Sequence, residues 1–93
     1  MRENAKIVSK YLKYLSNNNR LLILCALLEK PLTVGELNKI INDISLPALS
    51  QHLQKLKDGG FIYSRKDRQS VIYMIKDEKV KKLIALLKEE FCK

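Results

Sequence analysis

Cys25, Cys92 and His52 are the residues of this 93-residue chain whose side chains could form a thiol-redox or transition-metal site. A tight metal site needs three or four convergent sulfur, nitrogen or oxygen ligands, and one histidine with two cysteines far apart in the chain supplies too few. The sequence therefore predicts no metal and no cofactor.

A packing role is the alternative for these side chains. Free cysteine is among the residue types most often buried, and Cys25 shares a predicted helical stripe with Leu21, Leu24 and Leu28. Cys92 could belong to a frayed helix end. We assign His52 to packing at the edge of a helix rather than to catalysis or base recognition.

Composition and motifs narrow the class of function. Eighteen Lys and Arg against ten Asp and Glu give a net charge of +8, which favours a polyanion, because neutralising phosphates releases their counterions. A solvated lysine-rich surface is the alternative. The sequence has no nucleophile elbow, phosphate-binding loop or acid/base carboxylate pair, so no enzyme is predicted. The longest apolar run, residues 21–28, is far shorter than the ~18 residues of a membrane span, and no signal peptide is evident; we expect a cytoplasmic protein without a membrane partner.

The elements that position these residues follow from periodicity. Thr33 and Glu36 have the spacing of a capping box and open a short helix predicted to bury Leu37, Ile40 and Ile41. The predicted fold is a single domain, mainly α with a small β-hairpin, in the order α-α-α-α-β-β-α. Its elements are helices at about 5–15 and 20–29, the short helix closed by Asn42-Asp43, a helix at about 45–58 ended by a left-handed cap at Gly59-Gly60, a hairpin at about 61–76 with a turn at Asp67-Arg68-Gln69, and a helix at about 77–92.

Two short helices joined by a few residues are typical of a helix-turn-helix, and the second of them has a polar side. On that side and its flanks we place the candidate DNA-binding residues. Glutamine is suited to adenine edges, whereas basic side chains mainly meet phosphates. Candidates for the helix and its cap are Ser45, Ser50, Gln51, Gln54 and Lys55; candidates for phosphates elsewhere are Arg20, Arg65, Lys66 and Arg68.

Five segments, in order and with matching spacing, resemble the ArsR/SmtB family of winged helix-turn-helix repressors. They are Leu15-Ser16-Asn17 with Arg20-Leu21; Ser45, Ser50, His52, Leu53 and Leu56; Asp58-Gly59-Gly60-Phe61-Ile62; Arg65-Lys66; and Gln69 with Tyr73. The resemblance covers nearly the whole chain. It implies a homodimer that binds a palindromic operator in double-stranded DNA, with half-sites about one helical turn apart.

The resemblance also bears on the effector. The family's metal-sensing members carry a Cys-x-Cys pair at the third helix or histidines on the last, and neither is present at residues 32–37 or 77–92. Cys25 and Cys92 instead fall on the second and last helices, as in its dithiol branch. The resemblance therefore implies that they are redox-sensing residues and that an oxidant or reactive sulfur species is the effector. A persulfide or sulfenate formed on one sulfur would be closed by the second thiol. Leu46-Pro47 departs from the polar residues common in relatives, so the operator sequence cannot be carried over.

The first and last helices would form the dimer interface, although the same side chains could belong to the protomer's own core. The candidates are Ile7, Tyr11, Leu12, Leu83, Leu87 and Phe91. Two alternative functions stay open at this point. One is a DNA-binding regulator without thiol sensing, and the other is a basic winged-helix module whose end, residues 79–93, meets an acidic protein or a membrane surface.

Overall fold

A computed structural model describes residues 1–91, which form five α-helices and three short β-strands. The elements are α1 (Arg2–Leu15), α2 (Asn18–Glu29), β1 (Leu32–Thr33), α3 (Val34–Ile40), α4 (Leu46–Asp58), β2 (Ile62–Asp67), β3 (Ser70–Ile75) and α5 (Glu78–Phe91). The predicted fold class, mainly helical with a hairpin between the fourth and last helices, is confirmed.

Side-chain caps fix where three of the helices begin. The side chain of Asn17 accepts hydrogen bonds from the backbone N–H groups of Asn19 (3.0 Å) and Arg20 (3.1 Å), so α2 begins two residues earlier than predicted. Thr33 and Glu36 form the predicted capping box at the start of α3. Ser45 accepts from the backbone N–H of Ala48 at 3.2 Å and caps α4.

The core lies around α2, which packs against α1, α4, α5 and β3. Its buried residues are Ile23, Leu24 and Leu27, whereas Cys25 and Leu28 are half-buried. Of the predicted stripe, Leu24 is buried, whereas Leu21, Cys25 and Leu28 are only half-buried. Because α2 is apolar on almost all sides, its periodicity does not single out one face.

The end of α3 corrects a second prediction. Ile40 is 58% exposed, whereas Ile41 is 3% exposed and belongs to the core. The helix ends at Ile40, and Ile41 is its C-cap with non-helical backbone angles. The predicted burial of Ile40 was wrong. The non-helical backbone of Ile41 directs this residue, rather than Ile40, into the core.

The three strands form one antiparallel sheet in the order β1-β3-β2. β1 was not predicted, because two residues are too short for an alternating pattern; Leu32 and Thr33 pair with Tyr73 and Ile72. In the β2-β3 hairpin, Asp67 pairs with Ser70, so the predicted turn at Asp67-Arg68-Gln69 shortens to its last two residues.

Two glycines and one arginine determine the turns around the hairpin. Gly60 has a φ of +81° and supplies the left-handed residue after α4, whereas Gly59 is right-handed at −77°. The left-handed cap predicted for the glycine pair is thus formed by Gly60 alone. Arg68, the first of the two turn residues of the hairpin, has a φ of +60°, a region that favours glycine.

Candidate DNA-binding interface

The exposed side of α4 is the surface that can meet base edges. Leu49, Leu53 and Leu56 are buried at helical spacing, and this burial turns the opposite side of the helix to solvent. Ser50, Gln51, Gln54 and Lys55 are all exposed there or on its flanks. Ser45 is also exposed, and its hydroxyl is engaged in capping the helix.

The two halves of α4 differ in charge and hydrogen bonding. The side-chain amide of Gln54 donates to Asp58 Oδ1 at 2.8 Å, so one of its two N–H groups already has an acceptor within the helix. The carboxylate of Asp58 would repel a phosphate placed beside it. Ser50 and Gln51 are exposed nearer the N-terminus of α4, away from Asp58, so this half is better suited to approach a base pair.

The hairpin forms one flank of α4. Lys57 Nζ donates to Ser64 Oγ at 2.9 Å and ties the end of α4 to β2. Arg65, Lys66 and Arg68 are exposed along the hairpin and its tip. A cleft of about 450 Å³ lies between α4, the hairpin, β1 and the start of α3. Its lining residues are Thr33, Val34, Gly35, Ser50, Gln69, Ser70, Val71 and Tyr73.

The other flank of α4 is also basic. Arg20, at the start of α2, and Lys55 line a cleft of about 340 Å³ together with Lys10, Lys13 and Tyr14 of α1. Arg20 and Lys55 were predicted from the sequence as phosphate-contacting residues, whereas the two lysines of α1 were not. Their signal in the sequence is the spacing of cations on one side of α1, at Arg2, Lys6, Lys10 and Lys13.

The pKa of the single histidine, His52, reflects the positive charge on this flank of α4. Burial lowers the pKa of His52 below its usual 6.5, and the positive charges of Arg20 and Lys55 lower this pKa further. The Nε atom of Arg20 is enclosed and has no hydrogen-bond partner among residues 1–91. The flank is thus a region of positive potential beside α4.

Apolar side chains stand uncovered on α1 and α5. Ile7 and Leu12 are each 57% exposed and Phe91 is 80% exposed. Leu83 and Leu87 are half-buried against the core. Tyr11 has a role within the protomer, because its ring lies against Phe61 with a centroid separation of 4.9 Å. Val8 and Leu86 are also exposed but were not predicted from the sequence as interface residues.

Of the two cysteines, only Cys25 lies within the described residues. Cys25 is half-buried on α2 and lines a mostly apolar cleft of about 310 Å³ whose other residues include Leu22, Ile40 and Lys88. Cys92 lies outside the described residues, so the predicted pairing of the two cysteines stays a prediction. Within residues 1–91, no three His, Cys, Asp or Glu side chains form a group that could hold a metal ion.

A helix-turn-helix whose second helix is flanked by an antiparallel hairpin defines a winged helix-turn-helix DNA-binding protein. The sequence profile described as "Bacterial regulatory protein, arsR family" matches residues 17–64. The chain belongs to this family, as its resemblance in sequence predicted, and it is a DNA-binding transcriptional regulator. No helix within the described part of the chain is long and apolar enough to cross a membrane.

Three known proteins illustrate the similarity. The transcriptional activator HlyU of Vibrio cholerae is 40% identical over 99% of this chain and 84% of its own length, and the structure of reduced HlyU superimposes with a TM-score of 0.94 over 100% of this chain and 97% of that one. The biofilm growth-associated repressor of Xylella fastidiosa is 35% identical over 99% of this chain and 80% of its own; the structure of this repressor, BigR, gives a TM-score of 0.89 over 99% and 90% of the two chains. The homodimeric winged helix-turn-helix domain Mb0332 of Mycobacterium bovis is 29% identical, with a TM-score of 0.84 over 96% and 82% of the two chains.

Proposed function

We propose that the protein is a homodimeric repressor that binds a palindromic operator and releases it when Cys25 and Cys92 become linked. The observation that carries the DNA-binding part is the exposed side of α4 with cations on both flanks. The N-terminal half of α4 enters the major groove, where Ser50 and Gln51 face base edges. The hairpin is the wing, and its basic residues contact phosphates.

Uncovered apolar surface supports the dimer. Ile7, Leu12 and Phe91 stand on α1 and α5 without covering side chains from residues 1–91, and exposed apolar patches of this kind favour association. The homodimeric domain from Mycobacterium bovis has the same fold. In the proposed dimer, α1 and α5 of one protomer pack against those of its partner, and Leu83, Leu87 and one edge of Tyr11 complete the interface.

Thiol chemistry would provide the switch. One cysteine thiolate attacks a polysulfide, forms an S–S bond to its terminal sulfur and expels the shortened polysulfide. The second thiolate then attacks the cysteine sulfur of this persulfide, forms the cysteine–cysteine disulfide and expels hydrosulfide. Two electrons pass from the two thiolates to polysulfide sulfur. Support comes from the two cysteines, the similarity to BigR and HlyU, and the position of Cys25 on α2, the helix that packs against α4.

Operator binding under two redox conditions tests the proposal. Fluorescence anisotropy at fixed salt would follow binding to duplex DNA from the region upstream of the protein's own gene, with reduced and with polysulfide-treated protein. We expect treatment to weaken binding by roughly 5- to 150-fold, the range of ordinary allosteric coupling, and we expect Cys25→Ser to bind normally with or without treatment. Sedimentation of the reduced protein should give a dimer.

A regulator without thiol sensing is the second candidate. The half-buried position of Cys25 in a mostly apolar cleft favours it, because a small sulfur side chain fits such a lining without any redox role. Equal operator binding by reduced and treated protein would establish this candidate. Absence of any preference for a palindrome would instead contradict the repressor itself.

A further inference from the structure

We infer that the cleft between α1, the start of α2 and α4 receives a phosphate of the DNA backbone, so that Lys10 and Lys13 are DNA-contacting residues. The inference rests on the proposed function and extends it, because it gives α1 a second role besides dimerisation. The cleft is the 340 Å³ space lined by Lys10, Lys13, Tyr14, Arg20 and Lys55.

The charges around the cleft are not balanced from within. Lys10, Lys13 and Lys55 are exposed, and neither they nor Arg20 form an ion pair with any carboxylate of residues 1–91. Four cations from three helices repel one another unless an anion lies among them. A phosphate oxyanion has the charge and the acceptor atoms that this group lacks.

The position of the cleft selects DNA as the source of the phosphate. A helix in the major groove lies between two phosphate backbones, across a groove about 12 Å wide. The wing, joined to α4 by the contact of Lys57 with Ser64, occupies one side of α4. The cleft occupies the other side, where Lys55 of α4 is one of its walls. A protein with cations on one side alone would leave the second backbone without contacts.

The rest of α1 agrees with this placement. Arg2 and Lys6 continue the side of the helix that carries Lys10 and Lys13, and all four are exposed. The large apolar residues Ile7, Val8 and Leu12 are exposed elsewhere on the helix. At 1.5 Å per residue the cationic side extends for about 16 Å, long enough to follow the backbone beyond the base pairs that α4 reads.

The salt dependence of operator binding tests the inference. Each phosphate contact contributes about 0.9 to the slope of log K against log salt. We expect Lys10→Gln with Lys13→Gln to lower this slope by about one to two and to weaken binding to operator and to unrelated DNA equally. Lys82→Gln, which removes an exposed lysine from α5, is the matched control and should leave the slope nearly unchanged.

The possible results separate the inference from the function on which it rests. Wild-type protein without operator preference would contradict the proposed function. Operator preference together with an unchanged slope in the Lys10→Gln/Lys13→Gln variant, shown to be folded by circular dichroism, would overturn the inference alone. Titration of inorganic phosphate into DNA-free protein, followed by amide chemical shifts at constant ionic strength, is the second arm. Tight, saturable binding there would assign the cleft to a free anion and would also overturn its assignment to DNA.

Discussion

The ring of Tyr14 lies so close to Gly59 that a Cβ built on the glycine would stand 2.8 Å from Cε1 of the tyrosine. The backbone of Gly59 is in the right-handed region, so space rather than conformation requires glycine there. We expect Gly59→Ala to lower the free energy of unfolding by about 1–3 kcal/mol, the usual cost of overpacking. Urea unfolding would measure this change.

A double-mutant cycle separates the two causes by which a glycine can be required. In a Tyr14→Ala background, Gly59→Ala should cost much less, because the clashing ring is gone. Gly60→Ala is the control. The φ of Gly60, +81°, is strained for any residue with a side chain, but a Cβ built there would have no atom within 4 Å. Its cost of about 1–2 kcal/mol should be the same in both backgrounds. Equal costs for Gly59→Ala in both backgrounds would contradict the steric explanation.

Urea unfolding of single variants would measure how much the capping box of Thr33 and Glu36 contributes to stability. Thr33 Oγ1 accepts from the backbone N–H of Glu36 at 3.1 Å, and Glu36 Oε1 accepts from that of Thr33 at 2.9 Å. We expect Thr33→Ala to lower the free energy of unfolding by about 1 kcal/mol, whereas Thr33→Ser, which keeps the oxygen, should lose much less. A similar loss in both variants would show that the methyl group rather than the cap is responsible.

Arg68 should affect stability and DNA affinity in opposite directions. Its φ of +60° costs a non-glycine residue roughly 1–2 kcal/mol, part of which glycine would lose again through its greater chain entropy. Arg68→Gly should therefore stabilise the fold by up to about 1 kcal/mol, by thermal or urea unfolding, while it weakens DNA binding. Gln69→Gly is the control and should destabilise, since Gln69 has no positive φ to relieve. Weaker stability in Arg68→Gly would contradict this account of the turn.

His52 should become more basic when DNA binds. In the free protein, burial and the charges of Arg20 and Lys55 lower the pKa of His52, and these two cations line the proposed phosphate cleft. A phosphate seated there would offset these charges and raise the pKa. Because the chain has a single histidine, its imidazole proton resonances would report the pKa with and without operator DNA. An unchanged pKa would argue against a phosphate beside it.

The same shift fixes how stability and binding depend on pH. The folded state holds its proton on His52 less tightly than the unfolded chain does, so this group's contribution is present above the unfolded pKa near 6.5 and is lost as the pH falls through the lower folded value. DNA binding has the opposite dependence: if binding raises the pKa of His52, protons are taken up, and affinity increases as the pH falls from the pKa of the DNA-bound protein to that of the free protein. Anisotropy titrations across that interval, with His52→Gln as control, would measure this difference.

Patterns within a few neighbouring residues predicted the helix caps of this fold better than they predicted how its elements pack against one another. The caps at Thr33 and Ser45 depend on side chains three residues from their partners, so the sequence alone locates them. The exposure of Ile40 and the strand at Leu32 depend on where distant segments pack, and no pattern within those residues encodes that. Among site residues, Lys55 could be selected from its place on the helix of residues 45–58, and Arg20 from its basic side chain. Lys10 was missed because its importance comes from the neighbours that folding brings to it.

The contact of Phe61 with Tyr11 and Tyr14, at centroid separations of 4.9 and 5.4 Å, anchors α1 to the point where α4 passes into the wing. In the proposed dimer, α1 therefore connects the two-fold axis firmly to the recognition helix α4 of each protomer. The distance between the two recognition helices is then fixed. The protein should tolerate a changed base within the operator better than one inserted base pair between half-sites, which moves them apart by about 3.4 Å and turns one relative to the other by about a tenth of a helical turn.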